Sequence, residues 1–333
     1  MKHIRIVFHV LFAATSALAI AGGPPLPDTL FREGFEAAEF ADIRPLSDEF
    51  GSAATLGDWR RVRHEEHWPI DQIEHMDIDA TRPGWLTVVP HTSGWYEDYR
   101  GDLGFKLVAG DFVVTTRVDA RNRTATGAPG STMGGSPNTE FSLAGIMIRA
   151  PRTDVVCCDA SWWQPGGERY IFLSFGSASQ TGAYQFETKT TRAAIPPETN
   201  SVSVLEIGPA SAGPLELRAA RIGIYVILLV RESGQPWRVQ RRIARTDLPL
   251  AMQVGITVYT DWATVSTYPV PVHNTTQITH AYLDPGTAAD PDLQAQFDFY
   301  RFARPQVPAE LIGLNLADPN AVSDAQLLAF LGN

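Results

Sequence analysis

The chain has 333 residues, of which 44% are hydrophobic and 19% are charged, and its formal net charge is −10. This composition suits a globular protein with a substantial core. The acidic balance argues against partners that need a basic protein surface, namely nucleic acids and anionic membrane lipids. The two cysteines, Cys157 and Cys158, are neighbours in sequence and cannot close a loop of chain. The core must therefore stabilise the fold without such a cross-link.

The first residues are typical of an export signal. Lys2 and Arg5 form a basic start, residues 6–18 are almost wholly apolar, and A-x-A-like cleavage sites end at Ala19 and Ala21. We therefore expect a signal peptide over residues 1–21 and a secreted or periplasmic mature protein with no membrane span after cleavage. The alternative is an uncleaved N-terminal anchor helix, although the apolar run is short for a bilayer.

Short segments rich in β-branched and aromatic residues recur between turn residues and predict strands. The predicted strands cover residues 85–89, 111–119, 141–149, 170–176, 184–190, 202–207, 215–220, 223–232, 238–243, 252–259 and 296–303. Alternation within residues 112–118 predicts that Phe112, Val114, Thr116 and Val118 face the core. Residues 224–230 are apolar on both faces, which predicts a central strand, and the turn residues that follow predict a hairpin.

Helical signals are few. Ser323 can cap a short helix that begins at Asp324 and is closed by Gly332. Prolines at 305 and 308 separate the C-terminal tail, residues 305–333, from the last strand. The tail is either a docking helix or a disordered appendage. Another short helix can form within residues 37–46, and long loops are expected at 124–137 and 269–292.

The order of the strand segments carries a family resemblance. The segments are GDLGFKLVAGDFVVTTRV (101–118), FSLAGIMIRAP (141–151), ERYIFLSFG (168–176), LELRAARIGIYVILLVRESGQPWRVQRRI (215–243), LPLAMQVGITVYTDW (248–262) and AQFDFYRF (295–302). In this order the chain resembles the concanavalin A-like lectin/glucanase superfamily, and most closely the laminin-G-like sandwich found alone or as a C-terminal module of bacterial glycosidases. The resemblance implies an all-β, jelly-roll-like sandwich of two antiparallel sheets over residues 28–304. The E-x-D-x-x-E strand of the glucanase branch is absent, and fold alone does not settle activity.

Aromatic residues in predicted loops are the first candidates for a binding site. Sugar rings stack on exposed aromatic faces, and binding pockets are commonly lined by such residues. Trp162 and Trp163, in the segment DASWWQPGG, form the sharpest candidate pair, although any one tryptophan is more often buried. The complete set of predicted ligand-binding residues is Trp95, Tyr96, Trp162, Trp163 and Trp262.

Carboxylates are the candidates for catalysis, because glycoside hydrolysis needs two of them on either side of the sugar bond. Acidic residues and histidines crowd residues 64–79, a region that also reads as a solvated polar loop. A second pair lies beside Trp95 and Tyr96. The candidate catalytic acids are Glu65, Glu66, Glu97 and Asp98.

Metal binding is a further possibility. Hard oxygen ligands from loops would suit Ca²⁺, and Glu33, Glu36 and Asp298 lie near the first and last strands. Asp261 belongs to the same group. The histidine spacing at His64 and His67 matches no defined metal motif, and no EF-hand loop is present.

These observations lead to three hypotheses of function. The first is an exported carbohydrate-binding sandwich that recognises a poly- or oligosaccharide through loop aromatics. The second is an enzyme on the same fold, a glycoside hydrolase or polysaccharide lyase. The third is a structural or adhesive envelope protein whose tail docks to a partner. The identity of the glycan and the oligomeric state stay open.

Overall fold

The computed structural model describes residues 41–123, 134–152, 154–155 and 163–333. It contains two seven-stranded antiparallel sheets. The first sheet has the order β12-β11-β10-β5-β14-β3-β2, formed by Arg238–Ala244, Tyr225–Arg231, Leu215–Ile222, Phe112–Asn122, Leu293–Ala303, Leu86–Pro90 and Ile73–Ile78. The second has the order β1-β4-β13-β6-β7-β8-β9, formed by Arg60–Arg61, Asp102–Ala109, Ala251–Tyr259, Ser142–Arg149, Tyr170–Ser177, Gln185–Arg192 and Val202–Pro209. The predicted all-β sandwich is confirmed.

The main core lies between the two sheets. Phe112, Val114 and Val118 point into it from β5, as their alternation predicts, and Ile146 and Ile148 meet them from β6. Thr116 on the same face is also buried, and its hydroxyl donates to the Phe299 carbonyl at 2.6 Å. Each large apolar side chain removed from water here contributes about 1.5–3 kcal/mol. The core therefore stabilises the sandwich by burial.

The C-terminal tail packs against the outer face of the first sheet. Ile227 and Leu229 of β11 point outward and pack in one apolar cluster with Leu327 and Leu331 of α4 (Asp324–Leu331). Ser323 caps α4 in a capping box with Gln326. The tail is therefore a docked helix. It also explains why β11 is apolar on both faces, although β11 is one strand from the sheet edge rather than central.

Loops and short helices cover the outer face of the second sheet. The helices are α1 (Val62–Glu65), α2 (Trp262–Val265) and α3 (Val270–Thr275). A second apolar cluster forms beneath this cover, with Phe105, Met147 and Phe172 from the strands and Trp68 and Trp95 from the loops. Most of the residues predicted to be functional lie in this covering layer.

Several elements differ from the sequence prediction. The predicted strands all occur, with small shifts at their ends, but β1, β2 and β4 were not among them. Residues 73–78 form β2 rather than a polar loop, and the predicted loop at 269–292 contains α3. At 37–46 the described part has one 3₁₀ turn, Arg44–Leu46. The predicted signal peptide, most of the loop at 124–137 and both cysteines lie outside the described residues.

No helix in the described ranges is long and apolar enough to cross a bilayer.

Candidate functional site

Three aromatic side chains converge on the outer side of the second sheet. The Trp262 ring lies 5.3 Å from the ring of Tyr96 and 5.3 Å from the ring of Tyr99, measured between centroids. All three residues are half-buried. We call Tyr96, Tyr99 and Trp262 the aromatic patch. It retains exposed ring surface, which a ligand can contact.

The local backbone holds these rings in place. A tight turn closes through the Tyr99 amide, which donates to the Tyr96 carbonyl at 2.9 Å, and the Tyr99 hydroxyl donates to the Tyr268 carbonyl at 2.8 Å. Trp262 begins α2, whose N-cap is Asp261. A Cβ atom on Gly94 would lie 3.2 Å from the Trp262 ring. Glycine therefore allows the indole to pack closely against the chain.

Glu97 lies at the centre of the same turn. Its backbone has a φ of 50°, a left-handed conformation that is uncommon outside glycine, and its amide donates to Ser203 Oγ at 2.8 Å. Burial raises the pKa of the Glu97 carboxyl, and the neighbouring charge of Asp98 raises it further. The aromatic patch therefore includes a half-buried carboxyl that holds its proton more readily than an ordinary glutamate.

Asp98 has a different role from Glu97, because its carboxylate is used inside the protein. It is 1% exposed. Its oxygens accept hydrogen bonds from the Gly166 amide at 2.9 Å, and from the Ser201 amide and hydroxyl at 2.9 and 2.8 Å. Each of these bonds fixes a covering loop. The predicted pair Glu97 and Asp98 is adjacent in space, but only Glu97 reaches the surface.

A buried charged group lies below the aromatic patch. Lys189 Nζ lies 2.8 Å from a Glu187 oxygen and donates to the Trp95 carbonyl at 2.5 Å. The other Glu187 oxygen accepts from the Tyr259 hydroxyl at 2.8 Å. Lys189 Nζ is also 5.7 Å from the centroid of the Tyr96 ring. The group joins the strand floor to the loop that carries the patch.

Burial shifts the pKa values of Lys189 and Tyr259. It lowers the pKa of the Lys189 ammonium, although the Glu187 carboxylate opposes the shift. Burial and the same carboxylate raise the pKa of Tyr259 well above its usual value. The sequence prediction missed Glu187 and Lys189, which alternate with Phe186 and Thr188 in β8. The sequence did carry one signal for them. Charged residues at positions i and i+2 of a predicted strand lie on the same face of the sheet, which indicates a polar face there.

Glu66 belongs to a second buried network. One of its oxygens accepts from Arg149 at 2.6 Å and the other from the Trp68 indole at 2.9 Å. Arg149 is fully buried and also binds both oxygens of Glu168, at 2.8 and 2.9 Å. Glu65 is exposed and pairs with Arg60 at 2.5 Å. The structure therefore does not bring Glu65 and Glu66 together as a free carboxylate pair.

Two further predicted binding residues, Trp95 and Trp163, are buried. Trp95 is 1% exposed and packs edge-on against Tyr170 at 5.6 Å. Trp163 is 8% exposed and packs against Trp68 at 5.4 Å. Both indoles are part of the covering layer, so little of their ring faces is open to a ligand. Trp162 lies outside the described residues.

The two candidate metal ligands that lie in the described residues, Asp298 and Asp261, do not form a cluster. Asp298 pairs with Arg117 at 3.2 Å on the first sheet, while Glu33 and Glu36 lie outside the described residues. Asp261 accepts from the Thr92 hydroxyl and the Asp290 amide. Within the described ranges, no group of three or more histidine, cysteine or acidic side chains could hold a metal ion.

Comparisons with known proteins give distant structural similarities. No family model matches the chain, and no curated protein matches it. A functionally unknown protein from Saccharomyces cerevisiae is 11% identical with a TM-score of 0.44, covering 75% of this chain and 98% of its own. A GH43 protein, BlXynB, from Bacillus licheniformis is 14% identical with a TM-score of 0.44, covering 78% of this chain and 39% of its own. The κ-carrageenase of Pseudoalteromonas carrageenovora is 9% identical with a TM-score of 0.43, covering 78% and 92%.

Proposed function

We propose that this protein is an exported carbohydrate-binding β-sandwich that holds a poly- or oligosaccharide on the aromatic patch. The observation that carries the proposal is the convergence of three half-buried rings, with the Trp262 ring 5.3 Å from the ring of Tyr96 and 5.3 Å from the ring of Tyr99. Aromatic rings with one apolar face and one accessible edge suit the apolar CH faces of a sugar ring. Polar groups beside such a surface fix the orientation of the ligand.

Glu97 and the two tyrosine hydroxyls are the polar groups of this site. The Glu97 carboxylate can accept a hydrogen bond from a sugar hydroxyl, and the protonated carboxyl, which the raised pKa favours, can also donate one. Tyr96, Glu97 and Tyr99 are carried by a turn whose hydrogen bonds are already formed, and Trp262 is carried by α2. A ligand therefore loses little free energy to ordering of the protein when it binds.

Glu97 also supports a second candidate function, a glycoside hydrolase or polysaccharide lyase. A raised carboxyl pKa suits a general acid, and Glu97 alone among the four predicted acids combines that shift with partial exposure. In this reading Glu97 protonates the leaving oxygen. Glu66 and Asp98 cannot readily supply the second carboxylate, because their oxygens bind Arg149 and Ser201.

Co-sedimentation with a panel of insoluble polysaccharides tests the proposal. The mature protein is mixed with each polymer with and without a chelator, and the supernatant is analysed for released sugar. We expect retention without release. We expect Trp262→Ala to weaken retention about 5- to 150-fold, since stacking of a ligand ring on one aromatic side chain is worth about 1–3 kcal/mol. Tyr225→Ala is the matched control, because Tyr225 is a half-buried aromatic residue on the first sheet.

Other outcomes assign the alternatives. Release of sugar that Glu97→Gln abolishes, while retention survives, would establish the enzyme. Retention that is equal in wild type and Trp262→Ala would place binding elsewhere. A failure of every polymer to retain the protein would favour the structural or adhesive role.

A further inference from the structure

A second candidate site lies on the outer face of the first sheet, where β5, β10 and β14 meet the end of the C-terminal tail. It is a groove of about 360 Å³. Apolar walls come from Phe299 and Phe330, and cationic side chains come from Arg218, Arg231 and Arg301. The site is not visible in the sequence, because the arginines are distant in the chain and strand pairing within the first sheet brings them together.

The groove is positively charged although the chain has a net charge of −10. Four arginines line it, the three above and Arg304, against one side-chain carboxylate, Glu216. Glu216 pairs with Arg231. Arg301 pairs with Glu49 at 2.6 Å through an exposed ion pair that lies in open solvent. An excess of arginine in a concave, partly apolar surface concentrates anions there.

Arg218 is the central cation of the proposed site. Its Nε donates to Thr115 Oγ1 at 2.8 Å, and its Nη1 donates to backbone oxygens of Leu331 and Asn333. Within the described ranges, its Nη2 has no hydrogen-bond partner and no side-chain carboxylate lies within 4 Å. The guanidinium is held in this position by stacking on the Trp237 ring, 4.3 Å away.

The direction of the pKa shift of Arg218 agrees with the absence of a side-chain carboxylate partner. Burial and the neighbouring positive charge of Arg231 together lower the pKa of Arg218 to about 10, although the charge of Glu216 opposes the shift. The guanidinium is thus fixed in place, and within the described ranges no side-chain carboxylate forms an ion pair with it. A bound anion would restore the favourable interactions that the charge loses on leaving water.

We propose that this groove binds the oxyanion group of a small organic anion, a carboxylate or a sulfonate or sulfate ester attached to an apolar body. Arg218 donates to the oxyanion through Nη2, while Arg231 and Arg301 contribute positive potential. Phe299 and Phe330 contact the apolar body. This site is independent of the aromatic patch, which lies on the other sheet.

Ligand-observed ¹⁹F NMR tests the proposal on the full chain. The probes are 4-fluorobenzoate and 4-fluorobenzenesulfonate, with 4-fluorobenzyl alcohol as the neutral control. We expect both anions to bind, the alcohol to bind much more weakly, and added sodium sulfate to compete. Arg218→Gln should weaken anion binding about tenfold or more, because a charge-assisted hydrogen bond is lost. Arg192→Gln, which removes an arginine from the second sheet, should leave it unchanged.

Glu216→Gln gives an independent readout of opposite sign. Glu216→Gln removes the one side-chain carboxylate in the lining, so the affinity for anions should rise severalfold. It also decides the matter if Arg218→Gln does not fold. Equal affinity in wild type and both variants would overturn the proposal. So would equal binding of the alcohol and the anions, or no binding of any probe at millimolar concentration.

Discussion

Replacement of Glu168 by glutamine tests the electrostatics of the buried network directly. Glu168 is 3% exposed. It accepts two hydrogen bonds from Arg149 and one from Arg152 at 3.0 Å. Burial alone would raise the pKa of Glu168. The charges and hydrogen bonds of the two arginines outweigh that effect and lower the pKa from 4.5 to about 2.

The expected magnitude follows from this pKa. A carboxyl whose folded-state pKa is depressed stabilises the folded state above its unfolded pKa, and that stabilisation is lost as the pH falls through the folded value. For Glu168 the pKa difference corresponds to about 3 kcal/mol at pH 7, and less than half of it remains at pH 3. Glu168→Gln should therefore lower the free energy of unfolding by about 3 kcal/mol at pH 7. The difference from wild type should shrink between pH 4.5 and pH 2.

Urea unfolding followed by circular dichroism at pH 7, 4.5 and 3 measures both quantities. Glu198→Gln is the matched control, because arginine also lowers the pKa of Glu198 to about 2. Its pair with Arg192 lies in solvent, which screens it, so the change should be much smaller. A loss at Glu168→Gln no larger than that of the control, or a loss independent of pH, would refute the reasoning.

Three further changes test other parts of the structure. Leu327→Ala in the docked tail should lower the free energy of unfolding by about 2–5 kcal/mol in urea titration, because Leu327 is fully buried; an unchanged midpoint would mean that the tail does not dock. Lys189→Met should cost about 3–5 kcal/mol by leaving Glu187 uncompensated, and the double change Lys189→Met/Glu187→Leu should recover most of it. N-terminal sequencing of the exported protein should find a start just after residue 19 or residue 21; an intact Met1 would support the anchor helix.

The sequence predicted the strands well because their side chains alternate or form short apolar runs. It missed β4, which begins with Asp102 and contains Gly104 and Lys106, residues that rarely mark a strand. It missed β2 because three of its six residues are a glutamate, a histidine and an aspartate. In both cases pairing with neighbouring strands overrides the local preference. Such pairing is not visible in a single segment.

The candidate site was predictable only in part, for a related reason. Sequence identified Tyr96, Glu97 and Trp262 as aromatic or acidic residues in loops, but it gave the same weight to Trp95 and Asp98. These residues differ in burial. Trp95 and Asp98 lie in the interior of the covering layer, whereas Tyr96, Glu97 and Trp262 are partly exposed. The turn at Glu97 decides which residue points outward, and its left-handed backbone cannot be read from glutamate, a residue that seldom adopts it.

The buried polar residues have a common physical task in holding the covering loops. Asp98 binds the chain at Gly166 and Ser201, and Lys189 binds the carbonyl of Trp95. Asn274 donates from α3 to the Asp98 carbonyl at 2.9 Å. Charges and amides are costly in an interior unless each is paired, so a loop that displaced any of them would leave an unpaired group. The aromatic patch therefore lies on loops with one low-energy arrangement. A ligand that stacks on it loses little free energy to ordering of the protein.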